Sequence, residues 1–199
     1  HIWKITWICR HYRPQERAVE TKSIPSSPRT AYNAPMKITV VGTGYVGLVT
    51  GTCFANAGND VTCLDIDPQK IHLLNKGESP FFEPGLSELM TRSIEENRLV
   101  FTDQIDEAYL QAEVIFICVG TPTGDDGQCD LSQVMAVADD ICNSIADGST
   151  PLVVVKSTVP VGTTNEIANR LPKRCVVANN PEFLKEGKAV GDFMSPDRI

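Results

Sequence analysis

A glycine-rich turn between two apolar runs is the feature of this sequence that most restricts its fold. The turn, Gly42-Thr-Gly44-Tyr-Val-Gly47, follows the run Lys37–Val41, and a second run, Asp60–Leu64, leads to Asp65. Glycine permits a tight turn at the first position, close approach of the backbone to a ligand at the second, and close packing of a helix at the third. This order of strand, turn, helix and strand predicts a βαβ unit that binds a dinucleotide.

The carboxylate of Asp65 indicates which dinucleotide the unit binds. Asp65 lies 21 residues beyond Gly44, near the spacing at which an acidic residue binds the hydroxyls of the adenosine ribose. Its charge would repel a 2′-phosphate, so the sequence favours NAD over NADP. A helix predicted at 45–56 would direct its N-terminal N–H groups at the phosphates. Transferases that use S-adenosylmethionine contain a similar glycine turn, and they remain an alternative for this feature alone.

Strand and helix signals continue to alternate along the chain. Continuous apolar runs, which are typical of parallel strands covered on both faces, lie at 114–119, 152–155 and 175–178. Helices are predicted at 68–76, 84–97, 132–145 and 162–171. The pattern predicts an α/β fold with a doubly wound parallel sheet, a Rossmann-like domain whose ligands lie beyond the carboxyl ends of the strands. The segments after the last three strands should therefore converge beside the glycine turn.

Charge and hydropathy limit the partners of the chain. The net charge is −7, although residues 1–35 alone carry +4, and so acidic a remainder is a poor binder of nucleic acid. No apolar stretch approaches the roughly 20 residues that span a bilayer, so we expect no membrane insertion. We expect residues 1–35 to be an extension that is either disordered or not native, because their composition is typical of disorder and Met36 would be a natural start. A transit peptide is the alternative for this segment.

Seven cysteines are spread along the chain without a C-x-x-C pair and without a histidine at metal-ligand spacing. The pattern predicts neither a metal site nor a disulfide framework. Most of these cysteines lie in apolar runs, as the buried reduced thiols of intracellular proteins do. We therefore expect a cytoplasmic protein.

Five segments together resemble one protein family over residues 36–199. They are Gly42-Thr-Gly-Tyr-Val-Gly-Leu48, Phe81-Phe-Glu-Pro-Gly-Leu86, Val119-Gly-Thr-Pro-Thr123, Lys156-Ser-Thr-Val-Pro-Val-Gly-Thr163 and Asn180-Pro-Glu-Phe-Leu-Lys-Glu-Gly187. In order and spacing they resemble the UDP-glucose/GDP-mannose dehydrogenases. That family oxidises the primary alcohol of a nucleotide sugar to a carboxylate in two NAD-dependent steps, with an intermediate held on a cysteine. The segments look most like members that oxidise UDP-glucose to UDP-glucuronate, and members that oxidise GDP-mannose are the alternative.

The resemblance also implies roles for single residues. The cofactor-binding residues are then Gly42, Gly44, Val46, Gly47, Asp65, Lys70, Thr121, Thr158 and Glu186. The strip along which the sugar nucleotide lies comprises Glu182, Phe183, Leu184, Lys185 and Glu186. Catalytic roles fall to Thr158 and Glu182, which hold the water for thioester hydrolysis. From spacing alone, Glu182 and Glu186 are as well explained as an i, i+4 pair at a solvated helix start.

The role of the two phenylalanines in the second segment is open. Phe81 and Phe82 could cover a ligand or pack on the core, and packing is the default.

The resemblance does not extend to the part of the family that holds its catalytic cysteine. This cysteine and the family's substrate-binding lysine and asparagine lie in a segment that this sequence does not contain. We therefore expect 36–199 to be an NAD-binding domain truncated before a central helix and a C-terminal domain, inactive alone, and homo-oligomeric when full length. A non-catalytic NAD-binding module is the alternative from another class.

Overall fold

The computed structural model describes residues 34–195, which form one six-stranded sheet with a hydrophobic core on each face. All neighbouring strands are parallel, and their order across the sheet is β3-β2-β1-β4-β5-β6. The strands are β1 Lys37–Val41, β2 Asp60–Leu64, β3 Leu99–Thr102, β4 Val114–Ile117, β5 Leu152–Val155 and β6 Val176–Asn179. The predicted doubly wound α/β fold is confirmed, and its strand order reverses between β1 and β4.

Helices cover both faces of the sheet. In the described part of the chain they are α1 Tyr45–Asn56, α2 Pro68–Leu74, α3 Leu86–Glu95, α4 Ile105–Tyr109, α5 Ser132–Ser144, α6 Thr163–Arg170 and α7 Ala189–Met194. Helices α1, α2, α3 and α7 contribute to one core, and α4, α5 and α6 contribute to the other. The two cores thus lie on opposite faces of a single sheet.

The helix after the glycine turn lies deeper than an ordinary surface helix. Nine of the twelve residues of α1 are buried, because α3 and α7 pack against it in addition to strands β1 and β2. The ring of Phe54 in α1 lies 5.0 Å from Phe116 of β4 and 5.1 Å from Phe193 of α7, measured between centroids. These aromatic contacts fix α1, and with it the glycine turn, between the sheet and α7.

Several element boundaries differ from the sequence predictions. β4 ends at Ile117 rather than at 119, and α3 spans Leu86–Glu95 rather than 84–97. The sequence patterns do not predict β3, α4 or α7. Residues 181–186 have no regular secondary structure, so the interpretation of Glu182 and Glu186 as a helical pair is wrong. The extension predicted at 1–35 lies outside the described residues except for its last two.

Candidate functional site

Two glycines of the turn between β1 and α1 are required by packing within the chain. Gly42 has a φ of 92°, and a Cβ there would lie 2.8 Å from the carbonyl oxygen of Cys118. A Cβ on Gly47 would lie 1.8 Å from the carbonyl oxygen of Gly42 and 3.2 Å from Cβ of Cys118. Because backbone atoms make the closest of these contacts, no side chain fits at either position. The fold itself therefore needs glycine at 42 and 47.

Gly44 is different, because nothing in the chain requires glycine there. Its φ of −67° and ψ of −172° suit any residue, and an added Cβ would meet no atom within 4 Å. The space beside it lies at the N-terminus of α1, which no side chain caps. Unpaired N–H groups and the positive end of the helix dipole favour an anion at this point. The residues present thus fit the pyrophosphate of a dinucleotide.

Asp65 lies at the carboxyl end of β2 and is almost fully buried, with 8% exposure. Its Oδ2 accepts hydrogen bonds from N and Oγ1 of Thr43 at 2.8 and 2.7 Å and from Nζ of Lys70 at 2.8 Å. Its Oδ1 accepts one from N of Asp67 at 3.1 Å. Burial would raise the pKa of Asp65, but Lys70 and Thr43 hold it below its ordinary value. The group is a carboxylate at neutral pH, and Oδ1 retains capacity for a ribose hydroxyl.

A cavity of about 410 Å³ opens between the glycine turn and Asp65. Its walls come from the carboxyl ends of β1, β2 and β4 and from α5. Ile66 lines this cavity with 86% of its surface exposed, and it offers an apolar face to a base. Nucleotides bind in such crevices, where the strand order of a doubly wound sheet reverses. The cavity therefore suits the adenosine half of a dinucleotide.

The loops that follow β4 and β5 contact each other beside this cavity. Oγ1 of Thr121 donates a hydrogen bond to the carbonyl oxygen of Thr158 at 2.9 Å. Oγ of Ser157 donates one to the carbonyl oxygen of Val119 at 2.7 Å, and Val119 lines the cavity. For the first two of the three segments, these bonds confirm the prediction of convergence near the glycine turn.

Glu83 joins the segment after β6 to the glycine turn, a role that the sequence analysis missed. It is buried, with 4% exposure. Its Oε2 accepts hydrogen bonds from the hydroxyl of Tyr45 at 2.5 Å and from N of Gly187 at 2.7 Å, and its Oε1 accepts one from N of Ala189 at 2.8 Å. Burial opposes ionisation, but these donors hold the pKa of Glu83 below its ordinary value. One buried carboxylate thus fixes the 182–189 segment against α1.

Glu182 lies half-buried in that segment and has a different electrostatic environment. Burial raises its pKa, whereas the N–H of Leu184 and the charge of Lys156 lower it, and the net direction is upward. Its Oε2 is buried and makes no hydrogen bond with any residue that the structure describes. A carboxylate with a raised pKa accepts a proton more readily, so Glu182 can act as a general base.

The predicted site residues fall into four groups. Gly42, Gly44, Asp65 and Lys70 line the cavity, whereas Gly47 and the half-buried Val46 pack within α1 against the sheet and core. Thr121 and Thr158 form the loop contact. The strip at 182–186 leaves the side chains of Phe183, Lys185 and Glu186 exposed and packs Leu184 on the core. Val46, Gly47, Thr121, Thr158 and Glu186 lie outside the cavity lining. For all nine cofactor-binding residues, contact with NAD stays a prediction.

The two phenylalanines before Glu83 have opposite environments. The ring centroid of Phe81 lies 5.0 Å from that of Tyr45, so Phe81 packs as the default predicted. Phe82 is 89% exposed. Within residues 34–195, no group of three or more His, Cys, Asp and Glu residues could hold a metal ion. No helix of that range is long and apolar enough to cross a bilayer.

Fold and site together define a dinucleotide-binding domain of the Rossmann class. Comparison with known proteins refines this class. The chain belongs to the UDP-glucose/GDP-mannose dehydrogenase family, because residues 36–199 match the model of that family's NAD-binding domain. The cofactor of the site is therefore NAD.

Curated relatives and solved structures agree with this assignment. The chain is 46% identical over 173 residues to UDP-glucose 6-dehydrogenase of Pseudomonas aeruginosa, a match that covers 82% of this chain and 38% of the relative. A UDP-glucose dehydrogenase structure from Pyrobaculum islandicum has 40% identity and a TM-score of 0.81, covering 87% of this chain and 41% of that one. A GDP-mannose dehydrogenase structure from Pseudomonas aeruginosa has 37% identity and a TM-score of 0.76, covering 81% and 39%. The chain thus spans about two fifths of the length of these relatives.

Proposed function

We propose that this chain is the NAD-binding part of a UDP-glucose 6-dehydrogenase, which oxidises UDP-glucose to UDP-glucuronate in two successive steps at C6. One observation carries the proposal: the open Gly44 position and the charged Asp65 share one cavity in a chain 46% identical to such an enzyme. By this proposal the domain at 36–199 precedes a central helix and a second domain that supplies the catalytic cysteine. The chain alone is then inactive in turnover.

Each part of the site has a task in this reaction. The α1 N-terminus binds the pyrophosphate, and Asp65 binds the adenosine ribose with Lys70 beside it. NAD supplies the hydride acceptor when it is bound. The 182–186 strip holds the sugar nucleotide, and Glu182 takes the proton of a water that the Thr158 hydroxyl orients. These two residues would promote hydrolysis of a thioester formed elsewhere in the enzyme.

Calorimetric titration of the 199-residue chain with NAD, NADP and S-adenosylmethionine tests the cofactor part of this proposal. We expect NAD to bind and NADP to bind at least tenfold more weakly, because the Asp65 carboxylate repels a 2′-phosphate. Binding of S-adenosylmethionine without NAD would favour a transferase instead. Asp65→Asn keeps the shape of the side chain but removes its charge, so it should reduce the difference in affinity between NAD and NADP.

Turnover measurements test the catalytic part. The 199-residue chain should convert no UDP-glucose to the acid above a control without enzyme. Conversion would contradict the proposal that a second domain supplies the catalytic cysteine. The chain extended to the length of its relatives should oxidise UDP-glucose in preference to GDP-mannose. The reverse preference would make the protein a GDP-mannose 6-dehydrogenase, the alternative within the family.

A non-catalytic NAD-binding module is the second candidate, favoured by the match to the NAD-binding domain alone. A module of this kind would bind NAD but not UDP-glucose. The dehydrogenase proposal, in which the 182–186 strip holds the sugar nucleotide, predicts affinity for both ligands. We also propose a cytoplasmic location, since all six cysteines of the described part are free thiols, and a homo-oligomer for the full-length enzyme. Fractionation of the source cells and light scattering of the extended chain check these two points.

A further inference from the structure

Lys156 is a buried cation with few partners. It follows β5 directly, its exposure is 5%, and it has no role among the predicted site residues. Within the described residues its Nζ makes one hydrogen bond, a long one of 3.5 Å to Oδ1 of Asn180. An ammonium group has three N–H donors, and lysine is almost never buried unless it is paired. The hydrogen bond to Asn180 therefore does not account for the burial of Lys156.

Strand pairing places Lys156 beside the segment that contains Glu182. Val155 pairs with Asn179 in the register of β5 and β6, and Nζ of Lys156 donates a hydrogen bond to Oδ1 of Asn180, two residues before Glu182. Lys156 and Glu182 interact electrostatically, and Cys118, the residue after β4, is the third titratable group beside them. Burial lowers the pKa of Lys156, whereas Glu182 and Cys118 raise it. Burial raises the pKa of Cys118 to about 12, so this thiol is neutral. Of these two groups, Glu182 is therefore the one whose charge can offset that of Lys156.

We propose that Lys156 is a positioning residue that holds the Glu182 carboxylate through charge attraction. The buried oxygen of Glu182 is thereby kept turned toward the interior, beside the end of β4. The geometry rests on the register of β5 and β6, which places Lys156 beside Asn180 and the start of the 182–189 segment. It rests also on the buried Oε2 of Glu182 and the buried Lys156 side chain, each short of hydrogen-bond partners among residues 34–195. The value of this arrangement for catalysis rests on the proposed function. The attraction itself does not depend on that function.

The attraction solves a problem that burial creates for a general base. A carboxylate that takes a proton from water must be ionised at rest, and burial favours its neutral form. A positive charge nearby favours the ionised form and opposes the effect of burial, and it acts strongly because little water screens it. Without Lys156, Glu182 would be protonated over a wider pH range and less oriented.

Titration of Glu182 in the 199-residue chain tests the proposal without any turnover. Carboxyl ¹³C NMR measures the midpoint, and Glu182→Gln identifies the signal. We expect Lys156→Met to raise the midpoint of Glu182 by about one pH unit, and Lys156→Arg to restore most of the difference. Lys188→Met, which removes an exposed lysine from the same segment, is the matched control and should shift it by less than about 0.3 units.

The reciprocal measurement keeps the proposal testable if Lys156→Met does not fold. Glu182→Gln alters a half-exposed residue and should lower the pKa of Lys156, followed by ¹⁵N NMR of the ammonium group. An unchanged Lys156 midpoint, or equal effects of Lys156→Met and Lys188→Met on Glu182, would overturn the proposal. NAD titration of the same samples separates the two ideas: normal NAD binding with no coupling removes this inference alone, and coupling without NAD binding removes the proposed function alone.

Discussion

Gly44 and Gly47 stand three residues apart in one turn, yet different constraints require glycine at each. A Cβ at 47 would overlap the carbonyl oxygen of Gly42, whereas a Cβ at 44 would occupy open space. The constraint at Gly47 acts within the folded chain, and the constraint at Gly44 acts through the ligand. A substitution at Gly47 should therefore lower stability, whereas a substitution at Gly44 should lower NAD affinity.

We expect Gly47→Ala to lower the free energy of unfolding by more than about 3 kcal/mol, because backbone must shift to admit the methyl group. Gly44→Ala should cost less than about 1 kcal/mol, the usual effect of alanine at a helix N-cap, and should weaken NAD binding at least tenfold. Urea denaturation and calorimetric titration measure the two effects. If Gly44→Ala binds NAD as the unsubstituted chain does, the pyrophosphate does not lie on this turn.

Glu83 shows what sequence reasoning about single residues could not reach. The glycine turn and Asp65 were predictable because their spacing is local and each residue type has a specific conformational or charge requirement. The partners of Glu83 lie 38, 104 and 106 positions away along the chain. No local pattern marks a glutamate as buried, and its default is a solvated surface charge. Lys156 was overlooked for the same reason.

Replacing the Glu83 carboxylate should have a large cost for so small a change. Glu83→Gln places an amide N–H₂ against N–H donors of Gly187 or Ala189, so we expect a loss of about 2–4 kcal/mol in the free energy of unfolding. Glu88→Gln, an exposed position in α3, should change it by less than about 0.5 kcal/mol. Equal losses for the two variants in urea denaturation would show that Glu83 does not fix the 182–189 segment.

At the scale of elements, α1 and β2 are close because one glycine permits it. A Cβ on Gly51 of α1 would lie 2.4 Å from Sγ of Cys63 in β2, and the next contacts lie at 3.6 and 3.7 Å. The sulfur is therefore the main obstacle to a side chain at 51. Helix and strand should tolerate Gly51→Ala once that sulfur is removed.

A double-mutant cycle measures this packing. Gly51→Ala should destabilise by about 2 kcal/mol through overpacking, and Cys63→Ala by about 1–2 kcal/mol through the cavity that it leaves. The double variant should be more stable than the sum of the single losses predicts, by about 1 kcal/mol or more. Strict additivity in urea denaturation would mean that the helix shifts instead of pressing on Cys63.

The sequence predicted strands according to their apolar continuity. The runs in β1, β2, β4 and β5 are continuous or alternate clearly, and the structure confirms them. β3 has four residues, as β4 and β5 do, but its Val100 is exposed at 51% whereas every residue of β4 and β5 is buried. The four residues of β3 and the five of α4 give too few positions to distinguish a period of 2 from one of 3.6 where apolar continuity is missing. The tertiary contacts with β2, rather than local preference, decide that β3 is a strand.

At the scale of the whole molecule, two buried carboxylates, Asp65 and Glu83, lie in segments outside the helices and strands. Asp65 and Glu83 each bind backbone N–H groups from a distant or adjoining loop, and both have a lowered pKa in the fold. A lowered carboxyl pKa means that the unfolded chain binds more protons than the folded chain in acid. The contribution of both groups to stability is therefore present at neutral pH and is lost as the pH falls through their folded pKa values.

We therefore expect the stability of the chain to fall in acid, beginning below the ordinary values of 3.8 for Asp65 and 4.5 for Glu83. Urea denaturation of the unsubstituted chain and of Glu83→Gln at intervals from pH 7 to pH 3 isolates the second group. The difference in free energy of unfolding between the two chains should be largest at pH 7 and should shrink toward pH 3. Glutamine is uncharged at every pH, and Glu83 loses its own charge as it is protonated in acid. A difference that stays constant over this range would mean that folding leaves the pKa of Glu83 unchanged, and a difference that grows toward pH 3 would mean that folding raises it. Either result would contradict the lowered pKa of Glu83.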